Sequence, residues 1–132
     1  MKAVDTNVLV RLIADDDPDQ SAAAAAWFDD ALVDGGGVFV PDIVLAEVAW
    51  VLERAYRHPR DHVLGALRRV VETPGVVVRS PHEALRALAA ARTSRAGIAD
   101  LLLLEQARAQ GCTALATFDD ALLREPDVER PG

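Results

Sequence analysis

The chain has 132 residues, a length that suits one domain around a modest core, and with 51% hydrophobic but only 5% aromatic residues that core must be built from Ala, Val and Leu. A formal net charge of −7 and a pI of about 4.8 argue against a nonspecific nucleic-acid binder, which is basic. The single cysteine, Cys112, excludes an internal disulfide and fits a reducing cytoplasm, and no signal-like opening or membrane-length apolar run is present.

In chain order, Lys2 to Val4 read as a short strand. Asp5-Thr6-Asn7 offers N-cap chemistry for a helix through Ile13. After the polar break Asp15-Asp16-Asp17, a helix runs from Pro18 to Leu32, and Gly35-Gly36-Gly37 ends it. The alanine run Ala22 to Ala26 reads as a tightly packed helix face. Val38 to Val40 form a second strand, followed by a long helix from Asp42 to about Tyr56. His58-Pro59 opens another helix through Val70-Val71, and Thr73-Pro74-Gly75 turns into a third strand, Val76 to Val78. Pro81 opens a helix to about Thr93, Gly97 breaks it, and a further helix spans Ala99 to Gln110. Cys112 to Ala116 form a fourth strand, which places Cys112 in the core, and a short edge strand is expected near Val128. Strands alternating with helices imply crossovers and a parallel sheet, in a single domain over 1–132.

Four acids interrupt or end apolar segments: Asp5, Glu47, Asp100 and Asp119. Carboxylates rarely enter such places without a partner. Few cations stand at matching positions, so the expected partner is a divalent metal, and an all-carboxylate set suits Mg²⁺ or Mn²⁺. Ligands of open α/β sheets bind beyond the carboxyl ends of the strands, where Asp5 and Asp119 fall.

Each acid also has a plainer reading. Asp5 is a good helix cap, although Thr6 or Asn7 would serve equally. Glu47 shares a helix row with Ile43 and Val51, an apolar row in which its stem would pack while its head reaches water. Asp100 is able to cap the Leu101–Leu104 helix. Of Asp119 and Asp120, one caps the short helix through Leu122 and the other is free to act as a ligand. His58 and His62 have helical spacing but no completing ligand, and with His82 they read as surface residues. Trp27 and Trp50 read as core or interface anchors.

With these motifs in order, the chain resembles the PIN-domain family, specifically the VapC-type toxin ribonucleases, over nearly its whole length. Val4-Asp5-Thr6-Asn7-Val8-Leu9 resembles the first acidic motif and Ile43-Val44-Leu45-Ala46-Glu47-Val48 the second. Ile98-Ala99-Asp100-Leu101-Leu102 resembles the third, and Leu115-Ala116-Thr117-Phe118-Asp119 the fourth. The resemblance implies a three-layer α/β/α fold with a central parallel sheet of about five strands. It also implies Mg²⁺- or Mn²⁺-dependent cleavage of RNA, a homodimer, and a cognate VapB-type antitoxin that blocks the site.

On this reading Asp5, Glu47, Asp100 and Asp119 hold one or two metal ions that polarise the scissile phosphate and activate a water. Thr117 positions a water or phosphate oxygen, and Thr6 or Asn7 orients Asp5. Arg11, Arg92 and Arg95 are candidate RNA contacts, against the plainer reading that they are solvated helix faces. Two other readings compete: a non-catalytic module that binds RNA or protein, and a small-molecule phosphatase. Asp5-Thr6-Asn7 lacks the second Asp an aspartyl-phosphate phosphatase needs.

Overall fold

The computed structural model describes residues 1–132 and divides the chain into two units, Met1–Arg79 and Ser80–Gly132. The first unit carries β1 (Lys2–Ala3), α1 (Thr6–Ala14), α2 (Pro18–Val33), β2 (Val38–Phe39), α3 (Asp42–Arg54), α4 (Arg60–Glu72) and β3 (Val76–Val77). Its strands pair in parallel in the order β1-β2-β3, with Lys2 opposite Val38 and Val38 opposite Val76. Backbone bonds from Val4 N to Phe39 O and from Val40 N to Val77 O extend this ladder one step further. The central strand has to enter beneath the turn before β3, and only glycine permits that. Gly37 (φ 105°) and Gly75 (φ 91°) cross so closely that a Cβ on Gly37 would lie 2.7 Å from the Gly75 carbonyl oxygen.

The helices of this unit start and stop for local reasons. Asp5 caps α1, and Asp15 ends it in the left-handed conformation (φ 52°), returning its N–H to Arg11 O. Asp17 caps α2 through Gln20 N, with Pro18 in the first turn, where its missing N–H costs nothing. Val38, Val40, Val48, Leu9, Leu52, Val63 and Leu67 are fully buried and form the core. Their residue types explain how so aromatic-poor a chain fills an interior.

The second unit carries α5 (Pro81–Ala90), α6 (Ile98–Ala109), β4 (Leu115–Ala116), a single 3-10 turn (Leu122–Arg124) and β5 (Val128–Glu129). β4 and β5 pair in parallel, Leu115 opposite Val128. α5 packs against α6, with the small Ala84 and Ala87 of α5 and Ile98, Leu101 and Leu104 of α6 all buried. Glu105 is only 8% exposed. It survives there because Arg86 of α5 (3.1 Å) and Arg108 of α6 (3.0 Å) neutralise it. Arg108 also donates to Pro126 O at 2.7 Å, which ties α6 to the approach to β5.

The chain is mixed α/β with six helices and five strands, every pairing parallel, in ladders of three and two strands. The strand near Val128 is present. Several expectations need correction. α3 ends at Arg54 rather than Tyr56, and α4 begins at Arg60 because Pro59, at its N-cap, is extended. α5 ends at Ala90, not Thr93. Cys112 is exposed and lies before β4, not in the core: Gly111 (φ 82°) closes α6 and sends the Cys112 N–H back to Ala107 O. The alanine run is not a packed face either. Ala22, Ala23 and Ala26 are exposed, and only Ala24 is buried.

Candidate active site

In the first unit the acidic residues are organised by Thr6. The backbone N–H of Thr6 donates to Asp5 Oδ1 at 2.7 Å, so Asp5 is the cap of α1, with its second oxygen left over. The Thr6 hydroxyl, on a residue only 6% exposed, donates to Glu47 Oε2 at 3.1 Å and links α1 to α3. One buried threonine therefore holds one oxygen of each carboxylate. Asn7 is exposed beside them.

Glu47 does not interrupt a buried face, as its row had suggested. Ile43 is 66% exposed and Trp50 59% exposed, and Glu47 stands between them on the open side of α3. Asp5 and Asp119 are exposed too, and Asp100 is half-buried, so these acids sit at the rim rather than inside the apolar segments that carry them.

Arg11 is already engaged. Its Nε donates to Gln20 Oε1 at 2.6 Å, and its Nη1 donates to Asp16 Oδ1 (3.0 Å) and Tyr56 OH (3.2 Å). The hydrogen bond to Asp16 holds the Arg11 pKa above its ordinary value. Beside this network α1 and α2 leave a mostly apolar cavity of about 440 Å³ against the half-buried Trp27. His58 is half-buried rather than on the surface and stacks on His62 with ring centroids 4.8 Å apart.

In the second unit Asp100 occupies the first turn of α6 and Asp119 precedes the 3-10 turn. Burial first, and then the charge of Asp119, push the Asp100 carboxyl above the ordinary carboxylate range. Asp100 folds back over Gly97: a Cβ on that glycine would come within 3.1 Å of Asp100 Oδ2. The φ of Gly97 is −62°, which any residue adopts, so a side chain here would meet only the Asp100 carboxylate, which would have to give by a few tenths of an ångström. Asp119 Oδ1 accepts from Leu122 N at 2.8 Å, and the Asp119 N–H donates to Thr117 Oγ1 at 3.0 Å. Asp120 turns to Arg130 at 2.7 Å. Of the two acids it is Asp119 that bonds the 3-10 turn, by accepting from Leu122 N, and it is the charge of Asp119 that acts on Asp100. Arg92 and Arg95 are exposed and form no ion pair.

The acids accordingly come in pairs, Asp5 with Glu47 and Asp100 with Asp119, and within neither unit do three or more His, Cys, Asp or Glu side chains gather into a metal-binding group. The donor set nevertheless fits a hard divalent cation. It is all carboxylate oxygen, and the Asp100–Asp119 pair lacks a neighbouring positive charge to relieve its repulsion. Two features escaped the sequence reading. Thr6 was expected to orient Asp5 and also holds Glu47, a contact spanning 41 positions that no local pattern announces. Gly97 was read only as a helix breaker, although its place three residues before an acid was visible.

No helix is long and apolar enough to cross a membrane. No curated protein matches the chain. A family model described as PIN domain matches residues 2–127. That match spans nearly the whole sequence, including all four acids, and the chain belongs to the PIN-domain family, whose members are nuclease-type modules that typically use divalent metals.

Proposed function

We propose that the chain is a metal-dependent endoribonuclease, the toxin component of a VapBC-type pair, and that residues 1–132 act as one PIN domain. The observation that carries this reading is the Asp100–Asp119 pair. A half-buried carboxyl whose ionisation is opposed by burial and then by a neighbouring carboxylate, without a compensating cation, is poised for a metal. Asp5, Glu47, Asp100 and Asp119 are the proposed ligands for one or two Mg²⁺ or Mn²⁺ ions. When bound, such an ion supplies Lewis-acid polarisation of the phosphodiester and a lowered pKa for the attacking water.

The chain's own residues have distinct tasks in this scheme. Thr6 fixes one oxygen each of Asp5 and Glu47 and leaves the other oxygens without a bond to it. Thr117 and the Leu122 N–H fix the turn that carries Asp119. Asn7, exposed next to Thr6, is placed to meet substrate. Arg92 and Arg95, free of ion pairs, are better phosphate contacts than Arg11, whose guanidinium is already committed. The exposed Ile43 and Trp50 on α3 support a contact with a second copy or with the antitoxin.

A second reading, a non-catalytic PIN-fold module that binds RNA or protein, is favoured by the absence of a group of three ligands within either unit. Purified protein incubated with total cellular RNA in Mg²⁺, Mn²⁺ or EDTA, beside Asp5→Asn, separates the two. Discrete fragments that need metal and vanish in the variant support the nuclease. RNA retained intact under every condition, with no toxicity on expression, supports the binding module.

A further inference from the structure

The second unit contains a polar cleft of about 390 Å³. One wall is the α5–α6 connection, with Thr93, Ser94 and Arg95, and the other is the 3-10 turn, with Ala121, Arg124 and Glu125. Three of the six arginines of this unit are paired with carboxylates, Arg86 and Arg108 with Glu105 and Arg130 with Asp120. Arg95 and Arg124 are exposed and enter no ion pair, not even with Glu125 on the same wall. Of the three unpaired arginines of this unit, Arg92, Arg95 and Arg124, two line this one cleft. Hydroxyl groups accompany them. Ser94 Oγ accepts from Ala96 N at 3.0 Å and keeps its own proton to donate, and Thr93 is exposed beside it.

The two walls are continuations of the segments that carry Asp100 and Asp119. Arg95 precedes Asp100 by five positions, and Arg124 follows Asp119 by five. Residues of both segments line the one cleft, so the two segments converge there. Guanidinium groups and hydroxyls match a tetrahedral anion with several acceptor oxygens. We propose that this cleft is a phosphate subsite holding a backbone phosphodiester of the RNA strand, gripped by Arg95 and Arg124. The inference rests on the RNA reading given above and extends it to a residue, Arg124, outside the acidic motifs. Contacts of this kind set register and affinity and carry no sequence information. The Glu125 carboxylate opposes the bound anion.

The test follows binding of a fluorescent single-stranded RNA to the full chain carrying Asp5→Asn, as a function of salt. Adding Arg124→Gln or Arg95→Gln is expected to flatten the slope of log affinity against log salt by about 0.7 each, the value for one neutralised phosphate on a single strand. Binding should weaken equally for unrelated sequences. Arg124→Lys should restore most of the slope, and Glu125→Gln should tighten binding. Arg68→Gln makes the same charge change at an exposed arginine already bonded to Glu72, and should leave the slope alone. Slopes for Arg124→Gln and Arg95→Gln that match Arg68→Gln overturn the proposal, as does a parent chain with no salt-dependent RNA affinity. If inorganic phosphate binds through both arginines while the RNA slope is indifferent to them, the cleft serves a free anion and the strand proposal fails. Cleavage by the chain with Asp5 intact is measured in parallel. RNA binding with an Arg124-dependent slope but no cleavage keeps the subsite and removes the nuclease, whereas cleavage with an unaltered slope removes only the subsite.

Discussion

The Thr6 hydroxyl donates to Glu47 Oε2 over 3.1 Å, while the backbone N–H of the same residue donates to Asp5. Thr6→Val removes only the first of these bonds and nearly preserves shape. A hydrogen bond to a partly solvated carboxylate contributes about 1 kcal/mol, so a small fall in melting temperature is expected. Metal-dependent cleavage should fall about 10- to 100-fold, the usual effect of losing a partner that orients a ligand. Thr6→Ser should recover most of it. Initial rates and melting curves for the three proteins decide the matter, and an unimpaired valine variant would remove Thr6 from the site.

Asp5 has two separable roles. Asparagine caps helices as well as aspartate, so Asp5→Asn should keep stability within a few tenths of a kcal/mol and abolish cleavage. Asp5→Ala should abolish cleavage and also cost about 1 kcal/mol by unfolding in urea, because the Thr6 N–H loses its acceptor. Equal stability of the two variants would show that the cap contributes nothing.

Asp119 and Asp120 should behave in opposite ways. Asp119→Asn retains an acceptor for Leu122 N but loses the charge that acts on Asp100, and cleavage should be lost. Asp120→Asn gives up an exposed pair with Arg130, worth at most about 1 kcal/mol, and should cleave normally. Activity surviving in the first variant and lost in the second would exchange their roles.

The pH dependence of the metal-free chain follows from Asp100. Its carboxyl is raised in the folded state, so between the ordinary aspartate value of about 3.9 and the raised one the folded chain binds more protons than the unfolded chain. Stability from this group is therefore present below that window and lost as pH rises through it. In EDTA at neutral pH, Asp100→Asn should melt higher than the parent. Added Mg²⁺ or Mn²⁺ should raise the melting temperature of the parent and do far less for the variant. Calorimetry at two pH values with and without metal checks both statements, and a variant that melts lower in EDTA refutes the first.

The sequence showed where alternation and turns forced the outcome. Val38 and Val76 enter a parallel ladder because glycine-containing turns deliver them, and the cap chemistry of Asp5-Thr6-Asn7 was plain in the chain, whereas Asp17 read only as part of a polar break and in fact caps α2. It misled where exposure depends on what packs above a helix. Ile43 and Trp50 have core chemistry but face outward, so Glu47 looked more anomalous than it is. Cys112 was misplaced because an apolar residue after a glycine turn reads as a strand start, although the ladder begins only at Leu115. The four acids stand in motifs that single them out, Asp119 rather than Asp120 among them, whereas the contact from Thr6 to Glu47 depends on side-chain direction, which periodicity does not encode.

Gly97 has a consequence for how variation in this chain should be interpreted. Its φ and ψ suit any residue, so alanine there should fold normally and melt close to the parent. The added methyl would nonetheless lie 3.1 Å from Asp100 Oδ2 and press that oxygen a few tenths of an ångström aside. A chain with every acid intact and unimpaired folding should then cleave more slowly, a loss that a census scoring only the four carboxylates would miss.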